Sequence, residues 1–363
     1  MATTIPANQA MANLTNRLVT TYKSIPKPTN FLETFFPTPA SAIANTRYLY
    51  WAVRREGEPV AIDVLRGTEG NRNTFSITTD KIIDPPYFRE YFDITQTDLY
   101  YRMWSSDQID ASVMADYQAW VLDHVMSLTN KIKRAYELQR ANILTNGTIT
   151  LADGSIVDFK RKAASMVTAG TAWSNASTAT PLDDIEAGCN FIRKYGMAEG
   201  GNYICIMAED AFSEFISTTQ VIDRAQKYYL KLTDLSMPMR APNGSVYQGR
   251  YGAGSYTADV FTYPQVYAPA GSAIDGSASV NFVPSGKVFI LPENPNWITG
   301  YAAVPYLPKS GTSGFQINYP RTMRGQFVLG DYMDERASAW FMDVKSAGIP
   351  LPTAIDQMYT LTT

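Results

Sequence analysis

The sequence predicts an α+β fold organised on one very long helix. Three observations carry that reading. From Asp107 to Thr145 apolar positions recur in steps of three and four, at Ile109, Val113, Tyr117, Trp120, His124, Leu128, Ile132 and Ala135. Segments rich in β-prone residues precede this run and return in the last forty residues. Between them lies a helix–strand–helix order, read from "TATPLDDIEAGCNFIRKYG", "YICIMA" and "EDAFSEFIST".

In chain order, residues 1–30 are polar and Pro-punctuated, which predicts an extended arm. The arm meets "NFLETFFP", where Phe31, Leu32, Phe35 and Phe36 form an apolar plug with no helix or strand of its own. Such residues must pack against a distant part of the chain or another copy of it. Next, "YLYWAVRREGEPVAIDVLRG" reads as two β-prone runs around the turn-forming Glu56–Pro59, and the polar "TEGNRNTFSITTD" extends the excursion to about residue 82. A two-stranded ribbon is marginal alone in water, so this one needs a surface to lie on. The long helix follows, with Ser105 and Gln108 as a capping box. Asp107, Asp110 and Asp116 sit near its start and Lys131, Lys133, Arg134 and Arg140 towards its end, an order that suits the helix dipole. Asn146-Gly147 supplies the stop; at ~1.5 Å per residue the helix is roughly 58 Å long. "TITLADGSIVDF" is a hairpin turning at Asp153-Gly154. The next helix has Thr180 as N-cap, Pro181 at its first position and Gly196 as terminator. Strands follow in "SVYQGRYGAGSYTADVFTY", "GKVFILP" and the final forty residues.

Composition narrows the function. The chain of 363 residues is 45% hydrophobic but only 18% charged, below the usual ~25%, as in a protein that hides surface in partners. A net charge of -3 argues against direct nucleic-acid readout. Cys189 and Cys205 are too few for a disulfide framework, and neither a secretion signal nor a run of ~18 apolar residues is present, so an intracellular, soluble protein is expected. Catalytic chemistry finds little support. His124 is the sole histidine and lies on the apolar stripe, where a packing role outweighs a place in a triad or zinc site. Ser313 in "GTSGF" misses the nucleophile elbow, because Phe315 stands where glycine is needed. "GRYGAG" at 249–254 has the wrong spacing for a dinucleotide site, and Gly286-Lys287 is followed by Val288, which rules out a phosphate-binding loop. Asp183, Asp184 and Glu186 cluster where a helix's first turn attracts acids anyway. "KIKR" at 131–134 and "KRK" at 160–162 could touch phosphate, but solvated charges or subunit contacts are the stronger reading. No catalytic, metal or cofactor site is expected.

The order of these features resembles the lambda-type major capsid proteins of tailed bacteriophages, the phage capsid E family. "FLETFF" is similar to the motif that closes that family's N-terminal arm, the 47–82 ribbon to its extended loop, and the 107–146 helix to its spine helix. "GTITLADGSIVDF" resembles its hairpin, "PLDDIEAG" the start of its axial domain, and "VPSGKVFILP" and "SAGIPLPTAIDQMYTLTT" its late strands. Lys160 departs from the pattern, standing where the family commonly has glycine. The resemblance implies a tailed-phage capsid fold divided into an N-terminal arm (1–46), extended loop and base (47–98), peripheral domain (99–178, with hairpin 147–160), axial domain (179–320) and returning C-terminal strands (321–363). It implies a non-enzymatic shell subunit that assembles with itself in the host bacterial cytoplasm into hexamers and pentamers around double-stranded DNA. Scaffold and portal act during assembly, and a decoration protein reinforces the shell. Phe31, Leu32, Phe35, Phe36, Arg54 and Arg55 are the candidate inter-subunit contacts. The alternatives are an encapsulin-like compartment of the same fold and, from another class, a carboxylate-dependent hydrolase, which would need two acids converging in a pocket.

Some capsids of this fold weld their subunits with lysine–asparagine isopeptide bonds. Here the ribbon carries Arg54, Arg55, Arg66 and Arg72, and its first lysine is Lys81, at the base. Guanidinium stays protonated and is a poor nucleophile. Mature particles boiled in denaturant are therefore expected to give a single gel band near the 40.3 kDa chain mass. A ladder of covalent oligomers would refute a non-covalent shell.

Overall fold

The computed structural model describes residues 30–53, 79–95, 111–198, 201–227, 239–241, 243–253, 255–269, 271, 278–306, 321–334 and 339–363. In chain order, a short 3-10 turn at Leu32–Phe35 and another at Ala40–Ala42 precede β1 (Leu49–Val53), β2 (Thr79–Ile83) and β3 (Tyr87–Thr95). The long helix α1 (Ala111–Asn146) is followed by the hairpin β4 (Thr148–Thr150) and β5 (Ile156–Asp158), then β6 (Met166–Thr168). Next come α2 (Pro181–Gly196), β7 (Asn202–Met207), α3 (Glu209–Ser217) and α4 (Thr219–Lys227). Strands β8 (Met239–Arg240), β9 (Val246–Ala253), β10 (Tyr256–Thr262), β11 (Val266–Tyr267), β12 (Val280–Asn281) and β13 (Lys287–Pro292) continue the chain. It closes with β14 (Ile298–Tyr301), β15 (Val304–Tyr306), β16 (Arg321–Met323), β17 (Val328–Asp334), β18 (Ala339–Leu351) and β19 (Tyr359–Thr362).

Two sheets organise these elements. The larger has the order β6-β19-β13-β7-β10-β9-β8, so the C-terminal β19 is inserted between strands from the middle of the chain. Helix α2 lies close on this sheet at Gly188, where a Cβ would stand 2.6 Å from Ile290 Cδ1. The second sheet is built on β18, which pairs with β17 along one edge and with β3 and then β14 along the other. Helix α1 packs on it through Val125, Ile132 and Tyr136, against Val344, Phe88 and Phe92. The Tyr136 hydroxyl hydrogen-bonds Ser346 Oγ at 2.6 Å.

Several expectations about element ends meet their physical reasons here. The long helix spans 36 residues, ~54 Å at ~1.5 Å per residue; the capping box and acids at 105–110 lie outside the described residues. Gly147 ends the helix in the left-handed region at φ 71, and Arg161 Cβ lies 2.9 Å from where its Cβ would be. The hairpin turns at Asp153-Gly154 as expected, with Gly154 at φ 81 and Asp153 accepting from Ser155 N. Lys160 also takes a positive φ, 57, a conformation glycine adopts without strain. Asp158 holds it there, accepting from Lys160 N at 2.7 Å and Nζ at 2.6 Å.

Helix α2 has Thr180 at its N-cap and Pro181 at its first position, as expected, and needs one correction at its other end. The Thr180 side chain makes no cap bond; Gln220 Oε1 accepts from Leu182 N at 2.9 Å. Gly196 does not take the left-handed position, which falls to Met197 at φ 48. Gly196 is small because a Cβ there would lie 2.8 Å from the Asp356 carbonyl oxygen. Close passage of the C-terminal segment, not helix termination, fixes that residue.

The end of α1 runs through the core and carries charge with it. Glu137 and Arg140 are both buried, with Arg140 Nη1 donating to Glu137 Oε2 at 3.1 Å. Arg140 therefore is a core ion-pair partner rather than a dipole-complementing surface charge. Glu137 Oε1 accepts from Leu32 N at 2.7 Å and from the Tyr263 hydroxyl at 3.1 Å. Arg140 Nη2 donates to Thr299 Oγ1 at 3.3 Å, and Thr299 Oγ1 in turn donates to the Phe36 carbonyl at 2.9 Å. Burial raises the Glu137 carboxyl above its usual range, opposed by Arg140, by the Leu32 N–H and by Tyr263. Removing one member of such a pair leaves an uncompensated charge, at a cost of ~3–5 kcal/mol. Glu137→Ala is expected to lower the unfolding free energy by that order, read as a lower urea midpoint with an unchanged slope. Glu137→Ala with Arg140→Met should cost less than the sum of the two single changes. Additive losses would show that the two residues do not act as a unit.

Candidate assembly surface

The apolar plug is the first sequence-predicted site to place. Phe31, Leu32, Phe35 and Phe36 are all buried within their own chain. Phe31 packs edge-on to Phe35 at 5.4 Å and lies 5.5 Å from both Phe261 and Tyr263. Phe36 stacks on Trp297 at 4.9 Å. Backbone ties complete the seat, since Thr299 N donates to the Pro37 carbonyl at 3.0 Å. Of the two places a plug could go, the subunit's own body covers these four side chains.

The ribbon base is covered on one side only. Strands β1 and β2 pair antiparallel with Tyr50 opposite Ile82 and Trp51 opposite Lys81. Alternation then separates the faces. Leu49, Trp51 and Ile83 are buried, with Trp51 edge-on to Phe159 at 5.2 Å. Tyr50 and Ile82 point the other way and are 78% and 62% exposed. Among the described residues, nothing covers this cross-strand apolar pair. Exposed apolar side chains also occur at Leu122 and Met126 on α1, and at Tyr87 and Tyr91 on β3. Arg54, Arg55 and the turn at Glu56–Pro59 lie outside the described residues, whereas Arg47, just before β1, pairs with Asp84 at 2.6 Å.

The residues weighed for chemistry have structural partners. His124 Nδ1 meets the Trp120 carbonyl at 3.0 Å, and its ring lies 5.2 Å from Phe92. Asp184 accepts from Trp173 Nε1 at 2.9 Å; burial raises its carboxyl, partly offset by that bond. Burial pushes the Cys189 thiol up to about 12 and Cys205 well above its ordinary value, which suits inert packing residues. The basic cluster at 160–162 needs correction, because Arg161 is neither solvated nor at a subunit contact. It is buried, donating to the Leu144 and Ser165 carbonyls at 2.7 and 2.8 Å and to Thr360 Oγ1 at 2.8 Å. Lys162 pairs with buried Asp356 at 3.2 Å. In "KIKR", Lys131 pairs with Glu90 at 2.6 Å. Among the described residues, no group of three or more His, Cys, Asp or Glu side chains could hold a metal ion, and no helix is long and apolar enough to cross a membrane. Sequence reasoning missed the Glu137–Arg140 pair and Arg161; a charge at i and i+3 on one helix was the one visible sign of the former.

The architecture has known relatives. The family model described as phage major capsid protein E matches residues 15–363. No curated protein matches. Among solved structures, a protein assigned as the capsid protein of a prophage of E. coli CFT073 superposes with a TM-score of 0.60 at 15% identity, covering 96% of this chain and 98% of the other. A phage-related protein from Bordetella bronchiseptica RB50 gives 0.48 at 11% identity, covering 96% of both chains. The capsid structure of cyanophage P-SCSP1u gives 0.46 at 11%, covering 93% of this chain and 89% of the other. At these identities the first structure shows a shared fold and the other two add no weight, so the family match is what separates a phage shell from other containers of similar architecture. Because that match runs through nearly all of the sequence, the chain belongs to the phage major capsid protein E family, and its role is structural, as a repeating subunit of a phage head shell.

Proposed function

We propose that this subunit closes a double-stranded DNA phage head by lending its ribbon and arm to neighbours while its plug stays at home. The carrying observation is the ribbon base, whose inner face is cemented to the subunit by Trp51 and whose outer face presents Tyr50 and Ile82 without cover. Subunit contacts in a shell are heterologous and close only through the symmetry of the whole. Many modest contacts then suffice, because each copy is held by several neighbours at once. In this reading residues 1–46 form the arm, 47–98 the extended loop and its base, 99–178 a peripheral domain with α1 as its spine, 179–320 an axial domain, and 321–363 strands returning to the periphery. Arg54 and Arg55 pair with carboxylates next door, each exposed pair adding ~0–1 kcal/mol. Scaffold and portal guide assembly in the host cytoplasm, a decoration protein reinforces the shell, and the chain catalyses no reaction.

Two double variants separate subunit stability from assembly. Phe35→Ala with Phe36→Ala removes buried aromatic volume, at ~3–5 kcal/mol per residue. It should lower the melting temperature of the subunit itself and yield fragile particles or none. Tyr50→Ser with Ile82→Ser alters only exposed side chains and should leave the subunit's melting temperature nearly unchanged. Size-exclusion chromatography with electron microscopy, with scaffold supplied, should then show shells from the wild type and free subunits from this variant. Normal shells from Tyr50→Ser/Ile82→Ser would remove the ribbon's outer face from the interface. A wild-type protein that stays monomeric and turns over a substrate would overturn the shell reading.

A further inference from the structure

Strand β19 stands inside the larger sheet, antiparallel to β13 on one side and parallel to β6 on the other. The segment that leads into it is buried at Ile355, Asp356, Gln357 and Met358. Polar anchors hold both. Thr360 Oγ1 donates to the Leu144 carbonyl at 2.6 Å and accepts from Arg161 at 2.8 Å, while Asp356 pairs with Lys162 at 3.2 Å. Until this segment enters, β13 and β6 have no strand between them, and Arg161 lacks one of its acceptors.

The same segment grips the loop before β14. Gln357 accepts from Asn296 N and donates to the Gly196 carbonyl, both at 3.1 Å. Ala354 N donates to the Asn296 carbonyl at 3.3 Å, and the Ala354 carbonyl accepts from Trp297 Nε1 at 3.0 Å. A buried indole N–H needs such an acceptor, and Trp297 is buried. On this ring the plug rests, with Phe36 stacked at 4.9 Å. Two residues further on, Thr299 binds the plug's backbone at the Phe36 and Pro37 carbonyls. The seat of the plug is thus built on a tryptophan that residues 354–357 hold in place.

We propose that the fold contains an assembly checkpoint: the plug seats only after residues 352–363 have closed the larger sheet. Every other strand of that sheet precedes β19 in the sequence, so this segment is the last of them to be synthesised. Before it docks, the Trp297 indole lacks its Ala354 acceptor, and the ring presents no fixed surface to Phe36. A subunit with an unfinished sheet therefore leaves its plug side chains in water and its arm unanchored. The consequence for the shell rests on the reading proposed above; the coupling between segment and plug does not.

The test uses the full chain. Leu361, buried on β19, is replaced by aspartate, which opposes entry of the strand into the sheet. Chymotrypsin is expected to cut Leu361→Asp within Phe31–Phe35 at least about tenfold faster than the wild type. With scaffold supplied, the variant should also stay out of shells. Wild-type protection of the plug in Leu361→Asp would overturn the proposal. Where that variant fails to fold at all, the order of events in the wild type decides. Pulsed hydrogen exchange during refolding should show β19 protected before the Leu32 and Phe36 amides, or in the same phase. Thr360→Val, which removes the hydroxyl shared by Arg161 and Leu144, should delay the two together. Plug amides protected ahead of β19 would overturn the proposal, as would a delay confined to β19. Wild-type chains that form no shells would count against the shell reading, and the order of folding would still stand or fall on the exchange data.

Discussion

The buried Glu137–Arg140 pair is the point from which the rest of the subunit is hung. A charge taken out of water is tolerated only when partnered and hydrogen-bonded, and the partners here come from three separate parts of the chain. Leu32 and Phe36 belong to the plug, Tyr263 follows β10 of the larger sheet, and Thr299 lies on β14 beside β18. One ion pair on one helix therefore fixes where the plug sits, how the larger sheet meets α1, and where the second sheet attaches. Apolar packing supplies most of the binding free energy at this junction, through Phe31, Phe36, Trp297 and Tyr263. The polar contacts supply register, because only one placement satisfies them together.

Arg161 performs the same task at the far end of the helix. Its guanidinium spans the Leu144 carbonyl at the end of α1, Ser165 before β6, and Thr360 on the C-terminal strand. Gly147 must lack a side chain for Arg161 to pass, and Gly196 must lack one for the segment at Asp356 to pass. The last residues of the chain are thus locked into the middle of the larger sheet by groups some two hundred positions upstream. A subunit organised this way is rigid around its two junctions. The surface proposed to face neighbours, the ribbon's outer face and the exposed sides of α1 and β3, uses none of these junction residues. Separation of the two suits a shell protein, which has to keep its shape while neighbours press on it from several sides.

The sequence by itself determined the long helix, its hairpin and the helix–strand–helix order that follows, but not β3 or α4. Apolar steps of three and four announced α1, runs of β-prone residues announced strands, and Asp153-Gly154 and Gly147 announced a turn and a stop, because these signals are local and a few neighbouring residues suffice to express them. It also exposed the plug and ribbon as apolar segments with no core of their own, and the order of motifs pointed to the family. What only the tertiary structure decided was where non-local partners meet. Arg140 and Arg161 look like surface charges in a linear reading, Gly196 like a helix terminator, and Lys160 like a departure from a family glycine. Each takes its meaning from a segment far away in sequence or from a backbone angle: Leu32 and Thr299, Leu144 and Thr360, the Asp356 carbonyl, a left-handed φ held by Asp158. Burial and hydrogen-bond satisfaction depend on the whole three-dimensional surroundings of a group, and no periodicity along the chain encodes which distant carbonyl or carboxylate will be there.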